Sequence, residues 1–110
     1  MLSRAMDVLH RIKQLVRRGD YRFTDKALDE MQQDGLRESD VIESILDADH
    51  IDKILKAQGI RREPKKELLY VIKNRSLDGT PIYTKGVIRK QRDFQVFYIL
   101  VSSKVDRRSH

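Results

Sequence analysis

Lysines, arginines and tyrosines in the second half of the chain are the side chains best suited to chemistry. Strand side chains alternate between the two faces of a sheet. One strand-like segment would place Tyr83, Lys85 and Arg89 on a common face, and the last one would place Tyr98 on the same face as Lys104. Cationic groups bind phosphates and tyrosine rings stack on exposed bases. The pattern indicates an RNA-binding face, although ordinary solvent-facing residues of a one-sided antiparallel sheet would look the same.

Other catalytic chemistries have little support in the sequence. The three histidines, His10, His50 and His110, lie far apart, and none has a partner at the spacing of metal ligands. There is no phosphate-binding glycine loop and no nucleophile elbow. The absence of cysteine excludes disulfides and thiolate catalysis and is typical of the reducing cytoplasm. We therefore expect no metal, no cofactor and a cytoplasmic location.

Length and charge restrict the class of protein further. The 110 residues are expected to form one domain, residues 1–110. A net charge of +6 favours nucleic acid, an acidic membrane surface or an acidic partner protein, without choosing among them. No apolar run approaches the roughly 20 residues that a membrane span needs. Charged residues also interrupt the N-terminal segment where a signal peptide would be apolar, so no membrane association is expected.

The first half of the sequence has the apolar spacing of helices. A first helix is predicted to end at Gly19, and a short extended segment follows it. Thr24 has the type of an N-cap, so it should begin a second helix that ends at Gly35. A third helix is predicted from near Ser39, taken as its N-cap, to Ala48.

The second half changes to alternating and continuous apolar runs that are typical of strands. An Asp78-Gly79 turn separates two of them, and residues 105–110 are expected to form a loose tail. The last strand is the most hydrophobic and is expected to be central. The predicted strands cover residues 50–57, 67–73, 81–89 and 94–103. Helices followed by consecutive strands favour an α+β fold, with N-terminal helices packed on an antiparallel sheet of about 3–5 strands.

Several motifs in order resemble the MqsR-type mRNA interferase toxins, which belong to the RelE- and barnase-like superfamily and are related to the BrnT-like toxins. The segment IKQLVRRG fits a helix of the type I-K-x-L-V-x-x-G. The segment DHIDKIL places an apolar residue just before a lysine, PIYTKGVI is similar to a Y-x-K strand, and YILVSSK is similar to the final strand. The resemblance extends from about Leu9 to Lys104 and implies a RelE-like fold.

The resemblance implies the toxin of a bacterial type II toxin–antitoxin system, a metal-independent endoribonuclease that cleaves mRNA. In such enzymes the ribose 2′-oxygen attacks the adjacent phosphate, which requires a base, an acid and cations. The matching catalytic positions are Lys53, Tyr83 and Lys104, with Lys85 beside them. Tyr83 would transfer a proton or orient the phosphate. Lys53 and Lys104 would stabilise the phosphate, and one of them could act as base if neighbouring cations lowered its pKa.

Two departures from the family pattern affect the site. Glu67 stands where the family has a glutamine, and it could act as a general base or pair with a cation. The stretch Ala57–Lys66 lengthens the loop beside the expected site and contains two arginines. The residues expected to bind RNA are Arg61, Arg62, Arg89 and Tyr98, although an aromatic residue in a hydrophobic strand, such as Tyr98, is also common in cores.

The expected partners are mRNA, either free or on the ribosome, and a cognate antitoxin protein. In this family the antitoxin often carries its own zinc-binding cysteines, so any zinc would belong to that partner. Two alternatives remain open from the sequence. One is a non-catalytic RNA- or DNA-binding module with the same fold, and the other is a basic protein whose sheet docks a partner.

Overall fold

Three helices and five strands form the described part of this computed structural model, which comprises residues 4–56, 67–91 and 93–107. The α+β class predicted from the sequence is confirmed. In chain order the elements are α1 (Arg4–Arg17), β1 (Tyr21–Phe23), α2 (Asp25–Asp34), α3 (Glu38–Leu46), β2 (Lys53–Lys56), β3 (Leu68–Arg75), β4 (Pro81–Lys90) and β5 (Val96–Val105). None of the helices in these ranges is long and apolar enough to cross a membrane.

The helix boundaries follow local signals in the sequence. The Thr24 hydroxyl accepts a hydrogen bond from the backbone N–H of Ala27 at 3.1 Å, which confirms the predicted N-cap of α2. Gly35 ends α2 with φ 69°, a conformation that glycine adopts without a Cβ clash. The N-cap prediction for α3 is wrong by two residues, because α3 begins after Arg37. There the Asp40 carboxylate accepts the Arg37 backbone N–H at 2.9 Å.

The five strands form one mixed sheet in the order β1-β5-β4-β3-β2. The strands β2 to β5 pair antiparallel, as expected, but β1 pairs parallel with β5. The prediction of a purely antiparallel sheet after all helices is therefore wrong for β1, which lies between α1 and α2 in sequence. The last strand, β5, is a central strand in the sense that it is paired on both sides, with β1 and β4, although β4 occupies the middle position.

The two faces of the sheet have different surroundings. The face that we call the inner face packs against the helices, and its buried side chains join those of α1 and α3 in the main core. These strand residues are Tyr70, Ile72, Ile82, Tyr98 and Leu100. The opposite, outer face carries a smaller apolar cluster around Val87, Phe97 and Ile99, and beyond it the predicted catalytic lysines and tyrosine.

A β-bulge divides β5 into two halves, and the side chains of one half alternate between the sheet faces out of phase with those of the other. Lys85 pairs with Ser102, but the next residue, Gly86, pairs with Leu100, so Val101 is the extra residue. Because side chains alternate along a strand, one extra residue reverses the assignment of faces beyond it. Ser102 therefore lies on the outer face while Leu100 lies on the inner face.

Helix α2 and the C-terminal end of β5 hold each other in place. Within α2, the Glu30 carboxylate accepts the Ser103 backbone N–H at 3.0 Å, and the Asp34 carboxylate accepts the Val105 N–H at 2.8 Å. Asp106 is nearly buried, and its backbone N–H donates to the Pro81 carbonyl at 2.9 Å. The predicted loose tail is therefore wrong for residues 105–107, while residues 108–110 lie outside the described ranges.

Candidate functional site

Three of the residues on the outer face form a row across three strands. Lys73 of β3 pairs directly with Tyr83 of β4, and Tyr83 pairs with Lys104 of β5. Directly opposite residues of antiparallel strands have Cβ atoms about 4.5–5.5 Å apart and point to the same face. The ammonium nitrogen of Lys104 lies 5.4 Å from the centre of the Tyr83 ring, within the range of a cation–π contact.

This row borders a cleft of about 350 Å³ that we call the cationic cleft. Lys53 of β2 reaches it because it pairs with Val71, which lies two positions before Lys73 on the same strand face. The residues that line the cationic cleft are Lys53, Lys73, Tyr83, Lys104, Val105, Asp106 and Arg107. The structure thus brings together Lys53, Tyr83 and Lys104, the three positions that the sequence motifs single out.

Positive charge dominates the lining of the cationic cleft. Four of its seven lining residues are lysine or arginine, and one is an aspartate. The Lys73 ammonium lies 4.0 Å from the Asp52 carboxylate, the distance of a loose ion pair. Clustered charges of one sign in a cleft raise the local concentration of oppositely charged ligands. The lining is therefore suited to a phosphate-bearing molecule.

Two carboxylates of α2, those of Glu30 and Asp34, interact with cations that line the cleft. Hydrogen bonds from Arg107 hold the pKa of Asp34 below its usual value, and the charges of Arg107 and Lys104 add to this effect. Burial opposes ionisation of Glu30, but hydrogen bonds from Ser102 and Ser103 and the charges of Lys26 and Lys104 outweigh it, so the pKa of Glu30 is also lowered. The charge of Lys104 therefore favours the ionised form of both carboxylates.

Lys85 lies on the outer face two residues after Tyr83 and opposite Ser102. It is partly exposed but does not line the cationic cleft. The structure therefore places this predicted catalytic residue beside the site rather than in it.

Glu67 and Arg89 lie at the other end of the sheet and bind each other. The Arg89 guanidinium donates two hydrogen bonds to the Glu67 carboxylate, at 2.8 and 3.0 Å, and these lower the pKa of Glu67. Glu67 immediately precedes β3 and is six positions from Lys73, roughly 20 Å at about 3.3 Å per residue of extended chain. The expectation that Glu67 belongs with Tyr83 in one catalytic site is wrong in this structure, and its pairing with a cation is observed.

Tyr98 is a second correction. Its side chain is fully buried on the inner face, because the bulge at Val101 places Tyr98 on the opposite side of the sheet from Lys104. Burial also raises the pKa of the Tyr98 hydroxyl. No base can stack on a ring in this position, so Tyr98 is a core residue. The predicted RNA-binding residues Arg61 and Arg62 lie outside the described ranges.

Three cleft residues escaped the sequence analysis, namely Lys73, Asp106 and Arg107. Lys73 lies at the end of a predicted strand, and its alternation with Val71 places both on one face. Alternation shows which sheet face Lys73 is on, but not which residue of the next strand is opposite it. Strand register is needed to place Lys73 opposite Tyr83. Asp106 and Arg107 were assigned to a tail, and only the contacts with α2 and β4 reveal their positions.

Comparisons of the chain with protein families, curated proteins and solved structures found no match. In the described ranges, no three His, Asp or Glu side chains lie close enough together to hold a metal ion.

Proposed function

We propose that this protein is a metal-independent endoribonuclease with a RelE-like fold, which acts on mRNA as the toxin of a bacterial type II toxin–antitoxin system. The observation that carries the proposal is the convergence of Lys53, Tyr83 and Lys104 in one cationic cleft. These residues come from three different strands, and the family motifs single out the same three positions. A volume of about 350 Å³ is within the range of ligand clefts.

In the proposed reaction the ribose 2′-oxygen forms a bond with the adjacent phosphorus, and the bond from phosphorus to the 5′-oxygen breaks. The products are a 2′,3′-cyclic phosphate and a free 5′-hydroxyl. Negative charge accumulates on the phosphate oxygens in the transition state, where fixed cations stabilise it more strongly than in the ground state. Lys53, Lys73 and Lys104 line the site where that charge would develop.

The two proton transfers need an acceptor and a donor within hydrogen-bond reach of the substrate. We assign the donor role to the Tyr83 hydroxyl, which would protonate the departing 5′-oxygen. The cation of Lys104 over the Tyr83 ring would stabilise the charge left on the phenol oxygen. The acceptor for the 2′-hydroxyl proton is either a cleft lysine or Asp106, the carboxylate among the lining residues.

One observation favours a second candidate function, a nucleic-acid-binding module without catalysis. No histidine lines the cationic cleft in the described part of the chain, and Glu67 is bound to Arg89 at a distance from it. In this second candidate function the cleft cations bind the phosphates of a nucleic acid, and no proton acceptor is needed.

The same charge suits the proposed protein partner. An antitoxin with an acidic segment would compete with RNA for the cleft cations, because both ligands present negative charges. Zinc, where present, would be held by the cysteines of that antitoxin, since this chain has none.

The proposal is tested by cleavage of a purified mRNA of defined sequence in the presence of EDTA. We expect cutting that survives chelation and leaves cyclic-phosphate ends. Tyr83→Phe should lower the rate by about 10²–10⁴-fold, the usual contribution of a general acid, with little change in RNA affinity. Lys104→Ala should lower both rate and affinity. Lys90→Ala removes a lysine that also lies over an aromatic ring, that of Phe94, but outside the cleft, so it is the control and should cut normally.

Two outcomes would contradict the nuclease. RNA binding that weakens steeply with salt, without cutting even on translating ribosomes, would favour the binding module. The absence of any salt-sensitive RNA binding would instead favour a basic protein that docks another protein.

A further inference from the structure

The Asp34 carboxylate connects the end of β5 to a cation of the cleft. Only 10% of its side chain is exposed. It accepts the Val105 backbone N–H at 2.8 Å and two N–H groups of Arg107, from Nη1 at 3.1 Å and from Nη2 at 2.8 Å. The same carboxylate therefore fixes the backbone of β5 and the direction of the Arg107 guanidinium.

The pair with Asp34 does not use all the N–H groups of Arg107. A guanidinium carries five N–H donors in a planar fork. Asp34 accepts one N–H from Nη1 and one from Nη2, and within the described ranges the other three N–H groups have no hydrogen-bond acceptor. The Arg107 side chain is 68% exposed, and the residue lines the cationic cleft together with Lys104.

We propose that Arg107 binds a backbone phosphate of single-stranded RNA and that Asp34 is its positioning residue. This inference rests on the proposed function, because it assumes that RNA occupies the cationic cleft. The planar fork of arginine matches phosphate oxygens in a way that an ammonium does not. Binding RNA normally requires an exposed arginine to give up side-chain freedom, and the pair with Asp34 removes that freedom before RNA arrives.

The direction in which one substitution changes RNA affinity distinguishes a positioning role of Asp34 from simple neutralisation of Arg107. Asp34→Asn removes the negative charge but retains an amide oxygen that can accept the Val105 N–H. If Asp34 only neutralised Arg107, the variant would be more positive and would bind RNA more tightly. Because Asp34 orients the guanidinium, we expect the Asp34→Asn variant to bind RNA about 3-fold more weakly despite its added positive charge.

The experiment measures binding of a short single-stranded oligoribonucleotide that is 2′-O-methylated, and therefore uncleavable, at several salt concentrations. Arg107→Ala should weaken binding about 10-fold and reduce the slope against log salt by about one. Arg107→Lys keeps the charge but loses the fork, so it should keep the slope and lose part of the affinity.

Arg18→Ala is the matched control. Arg18 pairs with Asp20 at 3.0 Å, its side chain is 66% exposed, and it lies outside the cationic cleft. We expect this variant to bind RNA almost as tightly as the unmodified protein, with a similar salt slope. Thermal unfolding followed by circular dichroism compares the folding of all variants.

The outcomes distinguish this inference from the proposed function. If the unmodified protein shows no salt-dependent RNA binding, the proposed function fails. If it binds RNA but Arg107→Ala behaves like Arg18→Ala, the assignment of Arg107 is wrong and the cleft proposal stands. Should Arg107→Ala not fold, Arg107→Lys decides, because affinity equal to that of the unmodified protein would overturn the role of the guanidinium fork.

Discussion

The two ends of the outer face use charged residues in opposite ways. At one end, Lys53, Lys73 and Lys104 line the same cleft around Tyr83. At the other, Arg89 and Glu67 neutralise each other through two hydrogen bonds. Both ends are built from β3, β4 and neighbouring strands, and both contain residues that the sequence marked as functional.

The difference indicates which charged residues remain available to an anionic ligand. Exposed ion pairs such as Glu67 and Arg89 contribute little to stability, typically about 0–1 kcal/mol, and much of their charge is cancelled. Cations gathered on one surface repel each other in the free protein, and an anionic ligand relieves that repulsion. Substitutions in the cationic cleft should therefore change RNA binding more than substitutions of Glu67 or Arg89.

Gly86→Ala should have the largest effect on stability, because Gly86 is at the bulge between the two ends. A Cβ at this position would lie 2.3 Å from Cζ of the buried Tyr98 ring. Overpacking of this kind costs about 1–3 kcal/mol, and urea unfolding measures it. In a Tyr98→Leu background the substitution should cost less, since the ring is absent. Equal costs in both backgrounds would show that the ring contact is not the cause.

Lys73→Ala should have the next largest effect, about a 10-fold loss of RNA affinity with a salt slope reduced by about one. Lys73 lines the cleft and is only loosely paired, with Asp52 at 4.0 Å, whereas Arg89 makes two hydrogen bonds to Glu67. Arg89→Ala is therefore the control, and it should change affinity much less. Titrations of both variants with the same uncleavable RNA provide the comparison. An equal loss in the two variants would mean that RNA contacts the whole outer face.

Glu67→Gln should leave RNA cleavage nearly unchanged and reduce stability by less than about 1 kcal/mol. The pKa of Glu67 is lowered by Arg89 from a usual value of 4.5, so the ion pair stabilises the folded state above that pH. This contribution disappears as the pH falls through the folded-state pKa. Unfolding free energies of variant and unmodified protein should therefore converge in acid. Loss of cleavage with intact RNA binding would instead identify Glu67 as the base.

Tyr98→Phe should have the smallest effect on stability, and it should not destabilise the fold as Gly86→Ala and Glu67→Gln do. The Tyr98 hydroxyl is buried and has no hydrogen-bond partner within the described ranges. Removing an unsatisfied buried hydroxyl should leave stability equal or raise it by up to about 1 kcal/mol. RNA binding should not change, because the ring is remote from the cleft side of the sheet. A marked loss of RNA affinity would show that Tyr98 reaches the RNA after all.

Local sequence signals predicted most of the elements and part of the site. Apolar periodicity located the helices, and Thr24 and Gly35 marked the ends of α2 because capping depends on neighbouring residues alone. The alternation that placed Tyr83 and Lys85 on one face of β4 is also local. The motifs that singled out Lys53, Tyr83 and Lys104 added residues that the structure brings together.

Features that depend on strand pairing could not be predicted from local sequence signals. Simple alternation predicts Tyr98 on the same face as Lys104. The bulge at Val101, which arises from pairing with β4, places them on opposite faces. Register also decides that Lys73 faces Tyr83. The sequence predicts that a strand begins at Glu67, but β3 begins one residue later, at Leu68, and the distance of Glu67 from the cleft depends on how that strand is aligned.

The parallel pairing of β1 with β5 has a consequence for the order of folding. Thr24, at the end of β1, contacts Val101 across 77 residues of sequence. Contacts between distant parts of a chain form slowly, because the intervening loop must close before any pairing energy is gained. During synthesis β1 must wait until β5 has been made, and Lys104 and Arg107 are made in the same late step. The cleft therefore cannot assemble before the sheet is complete, so a nascent chain would carry no finished site.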